Sequence, residues 1–263
     1  MKTITFTTDF GINSNYTAQM KAVVLSIVPD AILVDITHNI SKHNIAEGAY
    51  ILQTTVPYFP DGTVHVAVID PGVGSSRRGI VISTKTQILV GPDNGLLIPV
   101  AKKLAPFHVY EIKNQNFMLK KIFNTFHGRD IFTPIAAHIL NGVFFEEIGP
   151  IINDYINLNL DQVKITQKDV TGKILYIDDF GNIITNIRID LLFKYLKLDK
   201  KLLVYTGKYK KEMVFVKTYS DVKKGELLIV NNSNDYLEIS ANQRKASEIL
   251  KAKLGEEIII KFD

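Results

Sequence analysis

Apolar and polar residues alternate from Thr3 onward and break at Thr8-Asp9-Phe10-Gly11, which predicts a strand that runs into a glycine turn. Helical spacing follows over residues 16–28, with Asn15 as the cap and Pro29-Asp30 as the close. A short buried strand is predicted at 32–36. Asn44-Ile45-Ala46-Glu47 has the cap-and-third-residue pairing of a capping box and opens a helix to about Val56. The run His65-Val66-Ala67-Val68-Ile69 is apolar without a break and ends on Asp70, the pattern of a strand covered on both faces. Further strands are expected at 79–83, 88–90 and 108–112, with a turn at Gly91-Pro92-Asp93-Asn94-Gly95, a short helix ending at Leu104 and an apolar helix over 131–140. This rhythm of strands and helices predicts an α/β fold, with a mainly parallel, Rossmann-like sheet covered by helices on both faces.

The pattern changes in the last third of the chain. Residues 149–163 have weak periodicity and many Asn and Asp residues, so a domain boundary is expected there. Beyond Thr171 come short strands at 173–177, 183–187, 202–205, 213–217, 227–230, 237–240 and 258–261, with helices at 189–198 and 245–254. These predict a smaller, mostly antiparallel, barrel-like β domain. The expected division is 1–155 for the first domain, 156–168 for a linker and 169–263 for the second.

Composition narrows the function classes. The chain of 263 residues is 46% hydrophobic and 22% charged, as expected of a globular protein, and its formal charge of +4 is small for the length. No basic stripe with interleaved aromatics is present, so no nucleic-acid partner is expected. The absence of cysteine removes disulfides, thiolate nucleophiles and Cys-type zinc sites, and fits a reducing compartment. No apolar run is long enough to cross a bilayer, and Lys2 precedes a strand-like alternation instead of a signal-peptide core; a cytoplasmic protein without a membrane partner is expected. The histidines at 38, 43, 65, 108, 127 and 138 make no metal-ligand spacing, so no metal is expected.

Candidate chemistry collects at the ends of strands. Pro71, Gly72 and Gly74 force a tight turn after Asp70 and return Arg77 towards it. A carboxylate and a guanidinium at the carboxyl end of a central strand make a plausible reactive site. The same residues also fit a capping carboxylate with two arginines on a solvated loop. Asp9 ends the first strand, where carboxylates accept ribose hydroxyls, and fits an Asx-turn equally well. His127, in Phe-His-Gly-Arg-Asp ahead of a helix, could orient or deprotonate a water, or be structural. In the second domain, Asp178 in Asp-Asp-Phe-Gly-Asn and Ser233 in Asn-Asn-Ser-Asn-Asp could grip a zwitterion, or simply close hairpins. Asp-Phe-Gly at 9 and 179 and His-Gly-Arg-Asp at 127 imitate kinase motifs at the wrong spacing and without a glycine-rich phosphate loop. Gly72-Val73-Gly74 lacks the third glycine of a dinucleotide fingerprint.

Taken in order, several segments resemble one family. They are Thr8-Asp9-Phe10-Gly11, Asp35-Ile36-Thr37-His38, the stretch from Tyr58 to His65, the Asp70 loop, Gly91-Pro92-Asp93-Asn94-Gly95, Thr125-Phe126-His127-Gly128-Arg129-Asp130, Phe180-Gly181-Asn182 and Leu237-Glu238-Ile239. Together they are similar to the S-adenosyl-L-methionine hydroxide adenosyltransferases, relatives of the fluorinase and chlorinase. The resemblance implies hydrolysis of S-adenosylmethionine to adenosine and L-methionine, with water or hydroxide displacing methionine at the ribose C5′ and no cofactor besides this substrate. It implies catalytic roles for Asp70, Arg77 and His127, a ribose-binding role for Asp9, and adenine or methionine contacts for Asp178, Asn182 and Ser233. It also implies a homotrimer with sites between subunits. The halogenases carry a tyrosine where Asp70 stands, a serine where Gly128 stands and an inserted loop that this chain lacks, so water is expected as the nucleophile. A halide-using enzyme and a non-catalytic binder of adenosine or S-adenosylmethionine are the alternatives. The chain departs from the family pattern at Ser14, where an acid is usual, at Asn234 or Asp235, where a glycine is, and at Arg244-Lys245, where Gly-Asn is.

Overall fold

The computed structural model describes residues 2–262 and divides into two compact units, one ending at Leu158 and the other beginning at Asn159. In the first unit the elements run β1 (Thr3–Thr8), α1 (Asn15–Ile27), β2 (Ile32–Thr37), α2 (Ile45–Thr55), β3 (Val64–Val68), β4 (Gly79–Thr84), β5 (Ile88–Pro92), α3 (Ile98–Lys103), β6 (Phe107–Glu111), α4 (Thr133–Leu140) and α5 (Phe145–Ile148). Six strands form one sheet in the order β2-β1-β3-β5-β4-β6. The first four are parallel to their neighbours, as the alternation of strand and helix requires. Strand β4 is antiparallel to both β5 and β6. Its link to β5 is a tight turn closed by Thr84 N–H donating to Gln87 O at 3.0 Å, too short for a crossover to a parallel neighbour.

The alternation along each central strand divides it between two helical layers. Ile4, Phe6, Val64, Val66 and Val68 face α1 and α4, and pack with Met20, Val24, Phe132 and Ile135. Ile69, in the opposite phase, meets α2. A Cβ built on Gly48 would lie 2.8 Å from Ile69 Cδ1 and 3.0 Å from Leu96 Cδ1, so glycine allows this helix to sit directly against the sheet.

Local signals set the helix starts. Ser14, with extended backbone, caps α1 by accepting Tyr16 N–H, one residue before the expected Asn15. Asn44 caps α2 by accepting Glu47 N–H at 3.2 Å, and Glu47 returns its carboxylate to Ser41 N–H and the Asn44 amide at 3.1 Å each. The box closes through Ser41 because Asn44 N–H already donates to the Ser41 carbonyl.

The second unit contains β7 (Lys164–Ile165), β8 (Asp169–Ile177), β9 (Ile183–Arg188), β10 (Lys201–Thr206), β11 (Tyr209–Phe215), β12 (Leu227–Asn231), β13 (Tyr236–Ala241), α6 (Ala246–Leu250) and β14 (Glu257–Lys261). Seven strands close a barrel in the order β14-β10-β11-β12-β13-β9-β8, with β8 returning to β14 and β7 appended to β8. Among the described residues of this unit, only β11 and β12 pair in parallel. Inward residues such as Val170, Ile187, Val204, Ile239 and Ile260 fill its core. The helix expected at 189–198 is a 3-10 turn over Ile189–Leu192. Leu192 and Leu196 turn inward, but Phe193 and Leu198 stay exposed, so the apolar residues form no continuous helical stripe. α6 ends early because Lys251 adopts a left-handed conformation.

One buried polar residue makes the first unit sensitive to pH. His65 in β3 is fully buried, with Nδ1 2.7 Å from Thr5 Oγ1 and Nε2 3.3 Å from Gln87 Oε1, while the Gln87 amide donates to Phe59 O. Burial lowers its pKa from 6.5 to about 4. The unfolded chain therefore takes up this proton first as pH falls. Stability contributed above pH 6.5 should be lost between there and about pH 4, a loss of roughly 3 kcal/mol from this residue. Urea denaturation across that range should show the limb in the native protein and a flatter one in His65→Gln.

Candidate active site

Strands β1 and β3 are adjacent and parallel, with Thr8 paired to Val68. Asp9 and Asp70 therefore leave the same edge of the sheet, at the carboxyl ends of neighbouring strands. After Asp70 the chain turns tightly. Val73 N–H donates to Asp70 O, and Ser75 closes a second turn by donating its N–H and hydroxyl to Gly72 O. Gly74 takes a positive φ of 79°, and a Cβ there would lie 2.5 Å from Asn124 O. Glycine thus lets this loop touch the backbone of the segment that leads to His127. The turn at 91–95 braces the strand end: Asn94 donates its amide to Ile69 O at 2.8 Å, and Asp93 binds Arg78.

Arg77 is a hub. Its Nε and Nη2 reach Asp70 Oδ1 and Oδ2 at 3.1 and 2.5 Å, a bidentate pair with both side chains almost wholly buried. Nη2 also reaches His127 Nδ1 at 3.1 Å, and Nη1 donates to Arg78 O at 2.9 Å. The guanidinium lies over the Phe132 ring, 5.2 Å from its centroid. A guanidinium only donates hydrogen bonds, so His127 Nδ1 must accept and the neutral ring carries its proton on Nε2. Burial, and then the Arg77 charge, push the His127 pKa below its ordinary value. Burial raises the Asp70 carboxyl above the usual range, against the opposing pull of Arg77 and His127.

His127 is held by an unusual helix start. Gly128–Phe132 is a π-turn, and the Thr133 hydroxyl donates to Gly128 O at 2.7 Å, fixing the carbonyl next to the imidazole. Asp130, fully buried, accepts Arg129 Nε and Phe123 N–H, and its carbonyl takes Leu119 N–H, so one residue pins the preceding loop. Arg129 continues to Gln19 of α1 at 2.7 Å.

Asp70 and His127 line an open cavity of about 270 Å³ together with Asp9, Phe10, Tyr16, Lys42, His43, Val68, Val73 and Phe126. Arg77 is not among its lining residues and acts from behind them. Phe10, Tyr16 and Phe126 pack edge to face on one another and make an aromatic corner of the cavity. Asp9 Oδ2 accepts His43 N–H at 2.9 Å, and Lys42 Nζ bonds to the Asp9 carbonyl. The cavity thus contains a hydrogen-bonded carboxylate at Asp9, a second at Asp70, an imidazole N–H donor and apolar walls.

In the second unit, Asp178 and Asn182 grip each other. Asp178 Oδ1 accepts Asn182 N–H at 2.8 Å and Oδ2 accepts the Asn182 amide at 2.9 Å, across the turn between β8 and β9. Asn182 also lines a concavity with Asp179, Phe180, Tyr219 and 241–245. Ser233 is exposed in the turn between β12 and β13, away from that concavity. Tyr219 of that concavity donates its hydroxyl at 2.9 Å to Glu238, a buried acid that the sequence pattern placed only within Leu237-Glu238-Ile239 and gave no role; Glu238 also accepts Ser240 Oγ at 2.6 Å, and the Tyr219 pKa is pushed up to about 12, chiefly by burial. Among the described residues no group of three His, Asp or Glu side chains is placed to hold a metal ion.

The N-terminal domain model of the SAM hydroxide adenosyltransferases matches residues 4–149, and their C-terminal domain model matches residues 172–259. The chain belongs to this family. It is 41% identical, over 98% of its own length and 95% of the relative's, to a Methanocaldococcus jannaschii protein named (R)-S-adenosyl-L-methionine hydrolase. An Actinoplanes fluorinase is more distant, 26% identical over 96% of this chain and 95% of its own. A crystal structure of an uncharacterized conserved protein from Thermotoga maritima is similar throughout, with a TM-score of 0.91 and 38% identity, covering 98% of this chain and 99% of that one.

Within this SAM hydroxide adenosyltransferase, sequence reasoning singled out the acid, the guanidinium and the imidazole that the fold brings together. It missed Tyr16, Lys42 and His43, whose only local signals were a helix start and a polar turn. The contact at Gly74 gives a direct test of how the two loops depend on each other. Gly74→Ala should destabilise the protein by about 2 kcal/mol, through its positive φ and the contact with Asn124, as measured by urea denaturation. It should also shift the His127 imidazole resonances in NMR spectra.

Proposed function

We propose that this protein hydrolyses S-adenosyl-L-methionine to adenosine and L-methionine by attack of water on the ribose C5′. The observation that carries this reading is that Asp70 and His127, joined from behind by Arg77, line one cavity with Asp9, in a chain whose full-length relatives are named for this reaction. Asp9 accepts the 2′ and 3′ hydroxyls of the ribose, as a carboxylate can accept two hydrogen bonds from a vicinal diol. The reaction forms a C5′–O bond and breaks the C5′–S bond, whose electron pair passes to sulfur. The sulfonium leaves as a neutral thioether, so its departure needs no cofactor. What must be supplied is a water in line with the leaving group, and positioning lowers that barrier by several kcal/mol.

The hydrogen-bond directions divide the labour. His127 Nδ1 is occupied by Arg77, so the ring presents an Nε2–H donor and orients the water through the water's oxygen. Asp70, with its pKa raised by burial, takes the proton as C5′–O forms. Arg77 fixes both groups and keeps Asp70 ionised. A carboxylate in this place also repels a halide, which favours water over the nucleophile used by fluorinases.

Asp178, Asn182 and Ser233 are assigned to the adenine and methionine ends of the substrate. The assembly is a homotrimer, with the cavity of one subunit's first domain completed by a neighbour's second domain, and it works in the cytoplasm without a nucleic-acid or membrane partner. Among the described residues no helix is long and apolar enough to cross a membrane.

Incubation in ¹⁸O-water tests the chemistry: label should appear in the 5′ hydroxyl of adenosine, with the (R) sulfonium epimer consumed in preference to the (S). Adenosine without label at that position would overturn direct displacement. Two variants test the division of labour. His127→Ala and Asp70→Asn should each slow turnover by about 10²-fold or more. Gln keeps a donor where Nε2 stood, so His127→Gln should recover most of the loss if the ring donates, and none if it is the base.

A further inference from the structure

The end of β1 is held by a chain of close polar contacts that the proposed reaction does not use. Thr8 Oγ1 lies 2.9 Å from His38 Nδ1, and His38 Nε2 lies 3.0 Å from Asp35 Oδ1. The other Asp35 oxygen accepts Lys21 Nζ, from α1, at 2.6 Å. The close approach of the Asp35 carboxylate favours the tautomer with its proton on Nε2, in which Nδ1 takes the Thr8 hydroxyl proton. The hydroxyl oxygen in turn accepts Phe10 N–H at 3.3 Å. Burial opposes charge on Asp35, yet hydrogen bonds from Lys21 and His38 hold its carboxyl below the ordinary value.

Acid, imidazole and hydroxyl in this order imitate a nucleophilic triad. Thr8 is fully buried, however, and no substrate can reach its oxygen. What the chain does reach is Asp9. Residues 38–43 wrap the end of β1: Gly11 N–H donates to His38 O at 2.7 Å, Ile40 N–H to Thr8 O at 3.4 Å, and His43 N–H to Asp9 Oδ2 at 2.9 Å, while Lys42 bonds to the Asp9 carbonyl. His38 stands where this wrap begins, with its ring bonded to the residue before Asp9 and its carbonyl bonded two residues after it. Asp9 is aimed into the cavity by a segment whose first anchor is the Thr8–His38–Asp35 chain.

We propose that His38, held by Asp35, is a positioning residue that aims the Asp9 carboxylate at a vicinal diol and so makes the site selective for ribose over deoxyribose nucleosides. This rests on the assignment of Asp9 to the ribose. Its consequence appears in binding as well as turnover, which allows it to be tested without reference to hydrolysis.

The experiment is calorimetric titration of the full-length protein with adenosine, 2′-deoxyadenosine and 2′,3′-dideoxyadenosine. The native protein should favour adenosine over the dideoxy compound by about tenfold or more. His38→Ala and Thr8→Val should both weaken adenosine binding by about tenfold and leave 2′,3′-dideoxyadenosine unchanged, because only the diol depends on the aim of Asp9. Asn places an oxygen where Nδ1 stood, so His38→Asn should keep the Thr8 bond and most of the selectivity. Equal losses for all three nucleosides in both variants would mean a merely structural role and overturn the proposal, as would full selectivity in both or no adenosine binding by the native protein. A native protein that selects ribose through His38 but releases no adenosine from S-adenosylmethionine would sink the hydrolase reading alone. One that hydrolyses the substrate with selectivity indifferent to His38 would sink this inference alone.

Discussion

The guanidinium of Arg77 binds the two halves of the candidate site into one object. It takes both oxygens of Asp70 with two N–H groups and turns a third to His127. Removing any member would leave a buried neighbour without its partner, which is far costlier than the pair is stabilising. The role of the pair is therefore geometric. A buried Asp–Arg bridge contributes little to net stability, but it fixes the direction of a carboxylate and the tautomer of an imidazole. Both loops must be in place before the bridge can form, and each is shaped for that purpose: the 70–77 turn by Gly74 against Asn124, and the 119–128 segment by Asp130 and the π-turn.

The position of the site follows from sheet topology. In a parallel sheet all carboxyl ends leave the same edge, so residues far apart in sequence arrive side by side without any special device. Asp9 follows β1 directly and Asp70 follows β3 by two residues, and these strands are neighbours. Strand β4 is antiparallel to β5, so it begins at that same edge. Arg77 lies just ahead of β4 and needs no long excursion to reach Asp70.

Residues whose role depends on their near neighbours in sequence were legible. The β3 run ending in Asp70, the Asn44–Glu47 box and the Asp93-Asn94-Gly95 turn each occur close to where the pattern places them. Features decided by packing were not. Asn15 and Ser14 are equally good caps on paper, and only the backbone at Ser14 chooses between them. The apolar spacing over 189–198 reads as helix, but the barrel uses just two of its leucines. The tautomer of His127 follows from a contact across 50 residues, and the role of Lys42 and His43 from a wrap around another strand's end. The three central residues could be named in the sequence, whereas which of them donates and which accepts could not, because direction in a hydrogen-bond network is a property of the assembled fold.

Charge accounting explains why the cavity combines carboxylates with apolar walls. In the proposed reaction the positive charge on sulfur disappears as the C5′–S bond breaks, so a carboxylate alone would stabilise the substrate more than the transition state. Asp70 offsets this by acquiring the proton of the attacking water, its negative charge vanishing in step with the positive charge on sulfur. Charge separation therefore shrinks along the reaction, and a medium of low polarity favours it over bulk water. The walls built from Phe10, Tyr16, Val68, Val73 and Phe126 provide such a medium, and the burial that raises the Asp70 pKa is the same burial that makes its proton uptake favourable. A hydrated, exposed Asp70 would be a weaker base facing a better-solvated water. The depth at which β3 ends, with Ile69 and Val68 buried beneath the turn, is thus part of the chemistry as well as of the fold.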